Sequence, residues 1–212
     1  MNFREFEEVF RNQLVISLNE IMVYDLKFHS NRLTEWQREG LIVKIKNGWY
    51  VRKSSIETLN YFKLFCIANR VYSPSYISLG SALSYYNLIP EGMGQISSIS
   101  SLKTADIRSK VGNFSYRSIK PEMLTGYKVL GEGLNKFCIA YKEKALVDYL
   151  YLNSYLQQDG DMHEIRINQK ELWENFSEDR FWQYVAIAGN KQLEKRAKLF
   201  LSYWRNPTYA QF

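Results

Sequence analysis

Ser30-Asn31-Arg32-Leu33-Thr34-Glu35-Trp36-Gln37-Arg38-Glu39-Gly40 runs directly into Leu41-Ile42-Val43-Lys44-Ile45-Lys46-Asn47-Gly48-Trp49-Tyr50-Val51-Arg52. The first half predicts a helix over 31–39. Ser30 stands at its N-cap, Leu33 and Trp36 lie three apart on one face, and Gly40 follows as the C′ glycine. The second half predicts a β-hairpin. Ile45 alternates with Lys44 and Lys46, and Asn47-Gly48 is the dipeptide favoured by type I′ turns, which need φ > 0 at both central residues.

Upstream, Phe3, Phe6 and Phe10 recur on one face of a helix over about 3–13. Ser17 and Glu20 have the spacing of a capping box for a short helix over 18–22. The order is therefore helix, helix, helix, hairpin within residues 1–53, which fits a winged helix-turn-helix. In that arrangement the third helix enters the major groove of duplex DNA and the hairpin rides on the backbone.

The residue chemistry agrees. With Leu33 and Trp36 facing inward, Asn31, Arg32, Glu35 and Arg38 face outward. Asn pairs with adenine, Arg with guanine, and Glu accepts from cytosine. Ser30 and the helix N-terminus suit a phosphate. Lys44, Lys46 and Asn47 on the hairpin, with Lys53 just beyond it, suit further phosphates. The plainer alternative is a helical packing unit with a solvated basic face, or a protein-interaction module.

Charge is distributed to match. The 212-residue chain carries a net charge of +6. Residues 27–53 hold seven basic side chains against only Glu35 and Glu39. A second basic segment, Arg108, Lys110, Arg117 and Lys120, falls on an expected hairpin over 107–117 with a turn at Gly112-Asn113. It suits an acidic protein partner, DNA, or plain solvation.

From residue 54 to 212 the pattern predicts a larger mixed domain of helices and an antiparallel sheet. Ser54-Ser55 reads as a linker or cap. Helices are expected over 56–71, 78–87, 142–156 and 190–204, strands over 95–141, and a polar turn over 157–161. The 56–71 helix would turn Leu59, Phe62, Phe65 and Cys66 inward and end before Pro74. The next would end at Pro90 and Gly92. The overall class is α+β.

Several chemistries find no support. The two cysteines, Cys66 and Cys138, sit in apolar runs as reduced core thiols, with no zinc-site spacing. There is no phosphate-binding loop, no G-x-S-x-G elbow and no nuclease core with a strand acid followed by Glu-x-Lys. The Asp159-Gly160-Asp161-Met162-His163-Glu164 cluster lacks the ligand pattern of a calcium loop and reads as a surface turn. No catalytic residue, metal or cofactor is expected. Without a signal sequence or an apolar run of membrane-spanning length, the reading is cytoplasmic.

Two longer segments resemble a known family. Tyr76-Ile77-Ser78-Leu79-Gly80-Ser81-Ala82-Leu83, continuing to Leu88-Ile89-Pro90-Glu91, resembles the Y-x-S-x-x-S-A-L-x-x-x-x-L-I-P-E signature of AbiEi-type antitoxins of type IV (abortive-infection) toxin–antitoxin systems. Ile139-Ala140-Tyr141-Lys142-Glu143-Lys144-Ala145-Leu146-Val147-Asp148-Tyr149-Leu150-Tyr151-Leu152 is similar to that family's I-A-x-x-E-K-A-L-x-D-x-L-Y-L segment. With the hairpin, the likeness covers most of residues 14–156.

The resemblance implies an N-terminal winged helix that binds inverted repeats in its own promoter and represses it. It also implies a C-terminal domain, with no enzymatic activity, that counteracts a nucleotidyltransferase-like toxin. Within these segments Ser78 is expected to cap a helix, Ala82 and Leu83 to pack it, and Pro90 to stop it. Ala145, Leu146 and Leu150 are expected to fill the core. The tail after about residue 157 matches no part of the family. A stand-alone regulator of the same fold is the alternative.

Overall fold

Two apolar clusters organise the chain, and the computed structural model describes residues 1–90 and 94–206. The smaller cluster gathers Phe6, Phe10, Ile16, Ile21, Phe28, Leu33, Trp36, Ile42 and Tyr50. It is built by α1 (Phe3–Val9), β1 (Ile16–Ser17), α2 (Leu18–Tyr24), α3 (Asn31–Arg38), β2 (Ile42–Lys46) and β3 (Trp49–Arg52). Trp36 is its hub: its ring meets those of Phe3, Phe6 and Phe28 at centroid separations of 5.0–5.8 Å. These aromatic contacts join α1 to α3 and to the loop before it, and α2 joins the cluster through Ile21.

Most of the expected local signals operate. Ser17 and Glu20 form the reciprocal capping box at the start of α2. Gly40 adopts φ +74° and ends α3. Asn2, which the pattern did not single out, forms a second capping box with Glu5.

Two expectations are corrected here. Ser30 precedes α3 with helical backbone angles and makes no side-chain cap. The chain enters α3 through a turn closed by the Arg32 N–H on the His29 carbonyl, which leaves the hydroxyl no amide to cap. The hairpin exists, but Asn47 is not in the left-handed region and Gly48 alone is, at φ +76°. The register slips between Lys44 and Lys46, so the loop is a bulged one and not type I′.

The three-stranded sheet, in order β1-β3-β2, is covered on both faces. Tyr50 and Ile42 face the small cluster, whereas Ile45 and Val51 join the large one. The alternation of side chains along a strand makes this possible with a single hairpin.

The large cluster surrounds a six-stranded sheet of order β6-β7-β5-β4-β9-β8. Its strands are β4 (Ser75–Ile77), β5 (Ile96–Ser100), β6 (Ala105–Arg108), β7 (Asn113–Ser118), β8 (Tyr127–Glu132) and β9 (Asn135–Ala140). The α+β class is thus observed, but the sheet is mixed and not antiparallel. β4 runs parallel to β9, and β5 runs parallel to β7. The two sequential hairpins, β6–β7 and β8–β9, flank a β4–β5 pair that comes from earlier in the chain. Parallel neighbours arise because the long excursions between them return each strand in the same direction.

Helices cover both faces. The Tyr116 hydroxyl on β7 donates to the Ala68 carbonyl of α5 (Tyr61–Val71) on one side. The Tyr76 hydroxyl on β4 reaches α7 (Lys142–Leu152) on the other. α6 (Leu79–Tyr85), α8 (Asp159–Glu164), α9 (Gln169–Trp173), α10 (Glu178–Ala188) and α11 (Lys191–Arg205) complete the structure. The 190–204 expectation is met by α11, with Leu193, Ala197, Phe200, Leu201 and Trp204 buried.

Other boundaries differ from expectation. Residues 53–56 form a one-turn helix, α4 (Lys53–Ile56), and not a linker. The expected 56–71 helix is interrupted because Asn60 caps a fresh start, accepting from the Lys63 N–H. Phe62, expected inside, is 54% exposed. Val111 lies outside the strands, since the turn spans residues 109–112 and Asn113 opens β7. The expected polar turn at 157–161 is partly helical, because Asp161 caps the start of α8 by accepting from the Gln157 and Gln158 N–H groups. Helix α6 ends at Tyr85, well before Pro90, and Glu91 and Gly92 lie outside the described residues. Cys66 and Cys138 are free thiols, and burial pushes Cys66 up to about 11. Among the described residues no helix is long and apolar enough to cross a membrane.

Candidate nucleic-acid interface

Helix α3 buries Leu33 and Trp36 against the small cluster, as their spacing predicts. That anchoring leaves Asn31, Arg32, Glu35 and Arg38 exposed on the opposite side, together with Ser30 and His29 before it. The Arg32 guanidinium donates to the Met1 carbonyl at 3.0 Å, which ties it across the start of the chain. The side chains of Asn31, Glu35 and Arg38 make no hydrogen bond or ion pair within the described residues. The polar groups that suit base edges are therefore gathered on one open helix face.

The hairpin is more constrained than a free flap. Lys44 and Asn47 are exposed, as is Lys53 at the head of α4. Lys46 is instead half-buried, with its ammonium 5.3 Å from the centre of the Tyr72 ring. Burial holds its pKa below the ordinary lysine range. The sequence could not show this, because the bulge at Lys44/Lys46 turns the two lysines differently and the Tyr72 partner lies far along the chain.

Further bonds fasten α2 and the segment between α1 and β1 to the larger part. Glu20 pairs with Arg70. The Leu14 N–H donates to Asn135 Oδ1 at 3.3 Å, and Asn135 Nδ2 donates to the Asn12 carbonyl at 3.1 Å. Strand β6, at the sheet edge, lies beside β2. This contact brings the second basic segment next to the first.

That second segment is less free than its charge suggests. Arg108 and Lys110 are exposed. Arg117, however, pairs with Asp106 at 3.0 Å. Lys120 donates to the Ala188 carbonyl at 3.4 Å, at the C-terminal end of α10, where a cation is favoured by the helix dipole.

A second polar constellation was missed by sequence reasoning. Asp148 on α7 is fully buried and accepts from Tyr76 Oη at 2.9 Å and Ser78 Oγ at 2.8 Å. Lys144, one turn earlier, donates to Asp148 and, at 2.8 Å, to Tyr76 Oη. Ser78 therefore does not cap α6 as expected; its hydroxyl is spent on the Asp148 carboxylate. Burial raises the Asp148 carboxyl, and the Lys144 ammonium and the two hydroxyl bonds pull against it. Burial, and then the Asp148 charge, push the Tyr76 phenol strongly upward.

Glu143 is buried nearby, accepting from the Ser177 N–H at 2.8 Å and Arg180 at 2.9 Å. Tyr76, Ser78, Glu143, Lys144 and Asp148 are among the polar positions of the two segments that carry the family resemblance. Closed to solvent, they join α7 to β4 and α10. The Tyr-x-Ser and Lys-x-x-x-Asp spacings were the available signal, since i,i+4 residues share a helix face and i,i+2 residues share a strand face. Among the described residues no group of three or more His, Cys, Asp or Glu side chains is placed to hold a metal ion.

No family model matches this sequence, and no curated protein matches it.

Proposed function

We propose that residues 1–53 form a winged helix that binds duplex DNA sequence-specifically, and that the protein is a cytoplasmic transcriptional repressor. The observation that carries this reading is the face of α3, where Asn31, Arg32, Glu35 and Arg38 stand exposed while Leu33 and Trp36 lock the helix in place. Asn31 and Arg32 sit at its leading end, where a recognition helix meets base edges. Ser30, Lys44, Asn47 and Lys53 then supply phosphate contacts, with Arg108 and Lys110 extending the basic track along β6.

Given the resemblance in the Tyr76 and Ile139 segments, the proposed role is an autorepressing antitoxin of a type IV system acting on inverted repeats in its own promoter. The larger part would counteract a nucleotidyltransferase-like toxin. Footprinting of the DNA upstream of the protein's own gene tests the first half. Protection of inverted repeats is expected, and an evenly cut lane would contradict it.

One observation favours a second reading, a protein-interaction module. Met22, Val23 and Tyr24 on the last turn of α2, with Leu26 in the loop after it, form an exposed apolar run, and Leu26 is 88% exposed. On that reading Leu26→Glu abolishes co-purification of a partner while Arg32→Ala has no effect on it. The DNA reading expects the reverse order of effects on promoter binding.

A further inference from the structure

We propose that the groove between the segment after α1 and the start of α5 with the β8–β9 hairpin is a binding site for a small organic anion with an apolar body. The groove is a cavity of about 950 Å³, within the size range of small-molecule sites. One wall is Arg11, Gln13 and Arg52 from the N-terminal part; the other is Phe62, Lys63 and Leu134 from the larger part. Arg11, Arg52 and Lys63 face it against a single acid, Glu132, so its field favours an anion.

The first turn of α5, which begins at Tyr61, opens at the same wall and adds its positive end. Phe62 and Leu134 expose 54% and 52% of their surface here, which leaves apolar area for a ring or chain to cover. At the back, Arg52 is held through Nη2 by the Arg11 and Gln13 carbonyls, yet its Nε and the Gln13 Oε1 are buried with no partner. An unmade bond of this kind is costly, and an anionic ligand head that accepts from the Arg52 Nε–H as the side chains rotate relieves it; the Gln13 amide, turned end for end, can offer its Nε2–H to the same head. The site does not depend on α3 reading DNA.

The test is an NMR titration of the full chain with benzoate, phenyl phosphate and, as a neutral match, benzyl alcohol. Saturable binding of an anionic probe is expected, with benzyl alcohol about tenfold weaker or more. Arg52→Gln would also release the Arg11–Gln13 backbone, so the deciding variants are Arg11→Gln and Lys63→Gln. Each should weaken the anionic probes by about tenfold and leave benzyl alcohol unchanged. Phe62→Ala should weaken all three probes alike. Failure of both anions to saturate, equal binding of the neutral probe, or indifference to Arg11→Gln and Lys63→Gln would overturn the proposal.

Discussion

Helices α3 and α7 carry similar mixtures of charge and place them in opposite ways. On α3, Glu35 and Arg38 are exposed, and their side chains bond to nothing among the described residues. On α7, Glu143, Lys144 and Asp148 are buried and bonded throughout. The difference follows from how many sides each helix must pack. α3 rests on one cluster, so a single stripe of Leu33 and Trp36 suffices. α7 lies among the sheet, α6, α10 and α11, so residues 143–148 and Leu150 are all buried. Charge at α7 is tolerated only because every group finds a partner. Unused charge on a fixed helix face is a candidate for a partner molecule, whereas satisfied charge belongs to the fold.

Breaking the buried set should have the largest effect. Asp148→Ala leaves Lys144 unpaired inside the protein and should cost about 3–5 kcal/mol of stability. Urea unfolding measures this. The double replacement Lys144→Met with Asp148→Leu should cost less than the sum of the single changes, since no lone charge remains. By contrast Arg38→Ala should shift stability by no more than about 0.5 kcal/mol.

Next in size is the open face of α3, on the proposed DNA-binding role. Arg32→Ala should lose about 1–3 kcal/mol on the correct DNA site and relax its base preference there. An unchanged affinity, measured by titration of the promoter fragment, removes Arg32 from the interface.

The hairpin sharpens the contrast further, because it holds one lysine of each kind. Lys44→Ala should weaken binding to all sequences alike and reduce the salt slope by about one unit. Lys46→Ala should change the slope less, because Lys46 is drawn over Tyr72. Equal slopes for the two variants would place both ammonium groups on phosphates.

The smallest expected effect is at Asp161, a half-buried acid at the start of α8. The Gln157 N–H, and then that of Gln158, hold its carboxyl below the ordinary 3.8. The folded value is depressed, so the contribution is complete above 3.8 and fades as pH falls through the folded value. Asp161→Asn should therefore lower Tm slightly at pH 7, with the difference shrinking near pH 3.

The N-terminal helices and hairpin were legible because their signals are local. Ser17 and Glu20, Leu33 and Trp36, and Gly40 each act within a few residues. The exposed face of α3 followed from that same spacing. What stayed hidden depends on pairs distant in sequence. The parallel partners of β4 and β5 could not be read from alternation, which is the same for either strand direction. Lys46 gave no sign of Tyr72, and Asp148 gave none of Ser78, seventy positions away. In the second basic segment Asp106 neutralises Arg117 across a hairpin, and Lys120 is taken up by a helix that begins far downstream. Charge totals alone overstate such a surface.

The central claim is that the open face of α3 serves a sequence-specific DNA site. Fluorescence anisotropy at about 0.15 M salt, comparing the DNA upstream of the protein's own gene with a shuffled control, measures it directly. The account predicts a preference of about 10³ or more for the upstream DNA. Equal, weak binding to both would contradict it and reduce the α3 face to a solvated surface.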